Sequence, residues 1–157
     1  SARLVIADEA VSMIDAASKV SFLNILLDFR DRLGISTLYI THDLSTAQYL
    51  GGEIIVLYKG RIVERGDTNQ VTNNPLHPYA QLLIQCIPVP NPKQRWEEKL
   101  SDSGEIAVSH STNRDRCLFA ERCPHVMDIC WKSRPRLERP EKPGIECNSE
   151  VACHLYQ

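Results

Sequence analysis

A strand, a helix and a second strand follow one another within the first 41 residues, and this order constrains the fold more than any other feature of the chain. Residues 3–7 (Arg-Leu-Val-Ile-Ala) form a short apolar run that predicts a buried strand. Across residues 16–33, Val20, Leu23, Leu26, Leu27 and Leu33 recur at helical spacing on one face. Asp15 is placed to cap that helix and Gly34 to end it. Residues 36–41 (Ser-Thr-Leu-Tyr-Ile-Thr) are rich in β-formers and almost continuously apolar, as expected of a strand covered on both faces. A unit of this kind brings its two strands together in parallel. The fold class is therefore α/β.

Further along, a short helix is expected at 44–50, capped by Asp43 and stopped by Gly51-Gly52. The stretch EIIVLYKGRIVERG reads as two strands joined at Lys59-Gly60. Short helices are expected at 67–73 and 77–86, with Pro78 tolerated in a first turn. Pro88, Pro90 and Pro92 then impose an extended path. Residues 93–116 are polar and short of apolar anchors, which predicts a linker. Of the six cysteines, five fall in residues 117–157, so the tail is compositionally distinct. The expected division is 1–70, 71–92 as a helical connector, 93–116 as a linker, and 117–157 as a cysteine-rich extension.

The two strands of the first unit both end in ionisable residues, Asp8-Glu9 and Thr41-His42-Asp43. In an open α/β sheet the ligand crevice lies beyond the carboxyl ends of the strands. Asp8 is suited there to hold Mg²⁺, directly or through water. Glu9 is suited to orient or deprotonate a water for attack on a γ-phosphate. A neutral His42 would accept from that water or donate to the phosphate. Asp43 reads as structural. The net charge of −2 gives no sign of a nucleic-acid partner. No apolar run reaches the roughly 18 residues that cross a bilayer. No secretory leader opens the sequence, so a reducing cytosol is the expected compartment.

In order and spacing, LVIADEAVSMID, LYITHDL, IIVLYKGRIVERG and PLHPYAQLLIQCIP resemble the ATPase subunits of ABC importers, specifically the oligopeptide/dipeptide and nickel branch. The resemblance implies a partial P-loop NTPase sheet with helices, followed by a small, irregular, cysteine-rich C-terminal domain. It makes Leu4–Glu9 the strand that carries the catalytic carboxylates, with Glu9 the catalytic base and Asp8 the Mg²⁺ residue. It makes His42 the switch histidine, and Ser12–Asp15 the loop that meets the opposite subunit, with Asp15 coupling the two ATP sites. The cofactors implied are ATP and Mg²⁺. The partners implied are a second ABC ATPase subunit, two membrane permease subunits and, through them, a periplasmic or extracellular solute-binding protein, with no nucleic acid. The location implied is peripheral, on the cytoplasmic face of the cell membrane. Peptides are the default cargo, with nickel and sugars as alternatives.

Several positions depart from the family pattern: Ala10 stands where proline is usual, Ser12-Met13-Ile14-Asp15 replaces Ser-Ala-Leu-Asp, and Gly51-Gly52-Glu53 replaces an Asp-Arg pair. No Gly-x-x-x-x-Gly-Lys-Ser/Thr loop and no Ser-Gly-Gly-Gln signature occurs in the 157 residues. Both would precede residue 1. The chain alone is therefore expected to bind ATP poorly and hydrolyse none, and exposed sheet edges would favour dimerisation or strand exchange. The competing reading is a non-catalytic metal-binding or regulatory fragment with a vestigial ATPase half.

Cys117, Cys123, Cys130 and Cys153 have intervening gaps of 5, 6 and 22 residues, without the short knuckle usual in zinc modules. The family tail motif resembles CLFAERCPHVMDIC…VACHLY. By that resemblance these four cysteines hold a [4Fe–4S] cluster, with zinc or adventitious disulfides as alternatives and Cys147 an extra thiol. Cys86 is expected to be a buried apolar residue. Trp96 and Trp131 are expected to be packing anchors.

Overall fold

Helix capping shapes the first unit. The computed structural model describes residues 2–87, 115–140 and 148–157. Strand β1 (Leu4–Asp8) leads to helix α1 (Ala16–Leu33), strand β2 (Ser36–Ile40) and helix α2 (Leu44–Leu50). Asp15 Oδ1 accepts from the Ala17 and Ser18 amides, both at 3.0 Å. Gly34 ends α1 in the left-handed region, at φ 63°. Asp43 caps α2 by accepting from the Ser45 amide at 3.1 Å. β1 and β2 pair in parallel from Leu4 opposite Ser36 to Asp8 opposite Ile40.

Leu23 and Leu26 are the fully buried residues of α1, whereas Val20 and Leu33 of the same stripe are exposed. Tyr39 on β2 donates its hydroxyl proton to Thr46 Oγ1 on α2 at 3.2 Å, so helices cover that face of the strand. The opposite face differs from expectation. Leu38 and Ile40 are exposed, so β2 is covered on one side only.

The chain divides into two compact units, residues 1–52 and 53–157. The division falls after Gly52 and not near residue 70, because the hairpin packs with the tail. Strands β3 (Glu53–Tyr58) and β4 (Arg61–Asp67) pair antiparallel around Lys59-Gly60. Both turn residues have positive φ, 47° and 74°, the geometry of a two-residue hairpin turn. Helices α3 (Thr68–Asn73) and α4 (Pro78–Gln85) follow.

The tail then returns as a short 3₁₀ turn at Ala120–Arg122, helix α5 (Asp128–Lys132) and strand β5 (Glu150–Val151). β5 pairs antiparallel with β4, Glu150 opposite Arg65, and an ion pair of 2.7 Å joins those two side chains. Gly66 lies under Ser149, and a Cβ at residue 66 would approach the Ser149 Cβ to 2.9 Å, so the strap needs glycine there. The extension is thus one edge of the hairpin sheet, not a separate irregular module.

The core of this unit is Val56, Tyr58, Val63, Val71, Ala80 and Phe119, brought together from hairpin, helices and tail. Phe119 meets Tyr58 edge-on at 5.2 Å and Tyr79 at 5.6 Å. Cys86, expected to be buried, is exposed, because it lies at the C-cap where α4 ends. Trp131 faces the Arg116 guanidinium at 5.5 Å. The proline run, most of the 93–116 segment, Trp96 and Cys147 lie outside the described residues.

Candidate functional site

Parallel pairing puts the ends of β1 and β2 side by side, and the residues after them meet. The ladder continues one step past β1, where the Glu9 amide donates to the Ile40 carbonyl at 2.9 Å. Glu9 then turns into the left-handed region, at φ 45°, a costly conformation for a residue with a Cβ. Its carboxylate meets His42, with Nδ1 and Oε1 3.2 Å apart. A carboxylate only accepts, so Nδ1 carries the proton and donates. In a neutral ring this leaves Nε2 as an acceptor. Both side chains are open to solvent, at 54 % for Glu9 and 74 % for His42. Asp8 is the last residue of β1, level with Ile40 and exposed. Its oxygen donors suit a hard divalent cation.

Asp15 stands apart from this pair. Its carboxylate is engaged at the start of α1, where the Ser18 hydroxyl also donates to Oδ2 at 2.7 Å. The Ser18 amide, foremost among these hydrogen bonds, holds the Asp15 carboxyl below the usual value. Asp43 behaves as the structural cap expected. Burial pushes its carboxyl up, but the Ser45 bonds and the Lys19 ammonium at 3.1 Å outweigh that and lower it.

In the second unit the four tail cysteines share one neighbourhood. The Cys117 amide donates to the Cys130 carbonyl at 2.8 Å. Burial pushes the Cys153 thiol up to about 11, and repulsion from Cys123, Cys117 and Cys130 acts in the same direction. Burial also raises Cys117 and Cys123. All four are free thiols. As they stand they do not make a ligand set. Among the described residues no three His, Cys, Asp or Glu side chains are placed to hold a metal ion. Cys117 also lines a cavity of about 430 Å³ with Arg61, His77, Phe119 and Arg134.

Two buried polar residues were not singled out by sequence reasoning. Glu64 is fully buried on β4 and accepts from the Leu76 amide at 2.9 Å and the His77 amide at 2.7 Å. Burial raises its carboxyl, and those amides offset part of the rise. His77 is buried against Phe119 and caps α4 by accepting from the Tyr79 amide at 3.0 Å. Burial lowers it to about 4, so it is neutral at pH 7. The available signal was an acid beside Ile62 and Val63 in a β-forming run, thirteen residues before a His-Pro step.

Residues 63–130 match the family model described as "Oligopeptide/dipeptide transporter, C-terminal region". The chain is 38 % identical over 135 residues to the dipeptide transport ATP-binding protein DppF of Escherichia coli, covering 86 % of this chain and 40 % of that protein. It is 35 % identical over 136 residues to DppF of Haemophilus influenzae, covering 87 % and 41 %. It is also 35 % identical over 153 residues to a putative peptide import ATP-binding protein of Brucella abortus, covering 98 % and 43 %. The chain thus spans about two fifths of the length of these relatives. Over most of its length the chain is thus similar to the C-terminal part of the oligopeptide/dipeptide ABC transporter ATP-binding proteins.

Proposed function

We propose that this chain supplies the water-activating part of an ATP hydrolase that energises import of oligopeptides or dipeptides across the cytoplasmic membrane. The observation that carries the reading is the Glu9–His42 pair, 3.2 Å apart beyond the ends of two adjacent parallel strands. Glu9 accepts the proton of the attacking water, and His42 holds that carboxylate through Nδ1–H; when Nε2 also carries a proton it donates to the γ-phosphate. Asp8 would hold Mg²⁺, which supplies charge neutralisation at the phosphates. Asp15 orders the loop that faces a second ATPase subunit. Residues 1–52 carry this site, and the hairpin, its helices and the tail form the second unit. Two membrane permeases and a solute-binding protein complete the transporter, with the chain peripheral on the cytoplasmic face. No helix among the described residues is long and apolar enough to cross a membrane. Without a phosphate-cradling loop in its sequence, the chain alone turns over no ATP.

A covalent chimaera tests the catalytic reading. The C-terminal region of the Escherichia coli relative is replaced by this chain, and ATP-dependent dipeptide uptake is measured in cells lacking that relative. Uptake is expected to return. Glu9→Gln is expected to slow ATP turnover by roughly 10²–10⁴-fold, the usual contribution of a positioned base. Turnover unchanged by Glu9→Gln would remove Glu9 from the chemistry.

A second reading concerns the tail. Its support is four free thiols in one neighbourhood, each of three raised in part by the others. Closing around a [4Fe–4S] cluster, or around zinc, would relieve that repulsion, with Cys117, Cys123, Cys130 and Cys153 as ligands. Metal content and the absorption spectrum of protein purified without oxygen decide it. About four irons per chain with a broad visible band is the expected result for a four-iron cluster. One zinc would keep the ligands and exclude redox chemistry at them, and no metal would leave the tail held by packing alone.

A further inference from the structure

The second unit holds a cavity of about 430 Å³ between the β3–β4 turn, the start of α4 and the tail. Small-molecule pockets run from roughly 300 to 1,000 Å³ and are mostly apolar, with a few polar groups that fix orientation. The lining here has that composition. Val63, Phe119 and Leu137 supply apolar wall, and the polar groups are Arg61, Arg134 and His77, with the Cys117 thiol. No Asp or Glu is among the described lining residues, so its charged side chains are all positive. Glu64, next to Val63 in the chain, is engaged elsewhere, because its oxygens accept from the Leu76 and His77 amides.

His77 supplies the group that orients a ligand. Its Nδ1 accepts from the Tyr79 amide at 3.0 Å and so carries no proton. The ring is therefore neutral, with its proton on Nε2. His77 is only 2 % exposed, and no described residue accepts that proton. Nε2 is not sealed by neighbouring protein atoms, which places it on the cavity that His77 lines. A donor so nearly buried needs an acceptor. Water would satisfy Nε2–H alone, whereas the apolar wall beside it favours a ligand with an apolar body.

We propose that this cavity binds a small apolar carboxylate through Arg61, Arg134 and the His77 Nε2–H. A carboxylate accepts from a guanidinium in a bidentate pair and keeps lone pairs for Nε2–H. An ammonium group would meet only positive charge, so a zwitterion fits less well than an anion. Of the four tail cysteines only Cys117 lines the cavity, so this site is separate from any metal that the cysteines hold together. The bound carboxylate joins the hairpin, α4 and the tail, and it stabilises that unit by mass action. The site goes beyond the ATPase reading and does not depend on it.

The test is calorimetric titration of the full chain with four probes: N-acetylphenylalanine, its uncharged amide, the zwitterionic dipeptide glycyl-phenylalanine and inorganic phosphate. NMR of labelled histidine rings follows the His77 Nε2 proton in the same samples. The expected result is one-to-one binding of N-acetylphenylalanine, with that proton shifted downfield. Affinity should fall roughly tenfold or more for the amide, and likewise for Arg61→Gln, as expected for loss of a charge-assisted hydrogen bond. Arg61 is exposed, so its substitution should leave the fold intact. Arg122→Gln, exposed and outside the lining, should leave affinity unchanged. No saturable binding of N-acetylphenylalanine would overturn the proposal. So would binding indifferent to amidation or to Arg61→Gln, or binding that leaves the His77 Nε2 proton unmoved. Phosphate bound as tightly would show a bare anion site, and the dipeptide bound as tightly would show that positive charge is tolerated. Either result would overturn the apolar carboxylate as the ligand class.

Discussion

Within residues 2–52 the fully buried side chains are Ala7, Val11, Leu23, Leu26 and Thr46, and one whole face of the sheet is bare. Within residues 53–157 a cluster of Tyr58, Tyr79 and Phe119 is packed from three parts of the chain, and β5 closes the edge of β4. Both units are built around a hairpin or strand pair with helices on it, but they treat polar groups oppositely. The first keeps Glu9 and His42 in solvent. The second buries Glu64 and His77, where they tie the start of α4 to β4. The contrast separates an exposed polar pair beside a bare sheet face from a packed body.

The largest expected break in that comparison is pH. His77 is lowered to about 4 by burial, against an ordinary 6.5 in the unfolded chain. Below pH 6.5 the unfolded chain takes up a proton that the folded one refuses until about pH 4. The second unit should therefore lose stability as pH falls through that window, by about 3 kcal/mol at 1.36 kcal/mol per pKa unit. Glu64 works in the opposite direction. Its raised carboxyl costs stability above its folded value and relieves that cost as pH falls, so it blunts the slope. Amide hydrogen exchange at pH 7 and pH 4.5, corrected for intrinsic rates, reads the two units separately. Protection should fall in β4 and α4 while β1 and β2 keep theirs. His77→Asn replaces the capping Nδ1 with an amide oxygen and removes the titration, so its pH slope should flatten. Equal losses in both units, or an unaltered slope in His77→Asn, would remove this distinction between them.

How much of this could be seen in the sequence follows the same divide. In the first unit the signals are local. The apolar spacing of α1, the Asp15 and Gly34 caps and the two apolar runs each act within a few residues, and the bounds of α1 and α2 came out at 16–33 and 44–50. Parallel pairing then follows from topology, and it brings Glu9 and His42 together without further information. In the second unit the determinants are distant. Phe119 reaches Tyr58 across 61 positions, and β5 reaches β4 across about 85. Periodicity carries nothing about such pairings, so the tail reads as irregular and its cysteines draw the attention. The burial of Glu64 was hidden for the same reason, since its partners are amides twelve and thirteen residues away. The bare face of β2 was misjudged because an apolar run records what a strand requires, not what covers it.

The smaller expected effect sharpens the comparison from the other side, at Asp15. Its carboxylate is fully solvent-facing, yet it holds the first turn of α1 through the Ala17 and Ser18 amides and the Ser18 hydroxyl. Asp15→Ala leaves those amides to water, and the first-turn amides should exchange about fivefold faster. The second unit should not respond, because nothing in its core depends on that turn. Asp15→Asn separates cap from charge, since asparagine caps as well as aspartate and carries no charge. The native carboxyl is held below its ordinary value by the Ser18 bonds, so its contribution is present above that value and fades as pH falls through it. If Asp15 acts only as a cap, the asparagine variant of the covalent chimaera should match the wild type in both exchange and ATP turnover. If its charge also meets a second ATPase subunit, exchange should stay native while turnover falls. A rise in exchange for Asp15→Asn equal to that of Asp15→Ala would show that the charge, and not the hydrogen-bond geometry, holds the helix start.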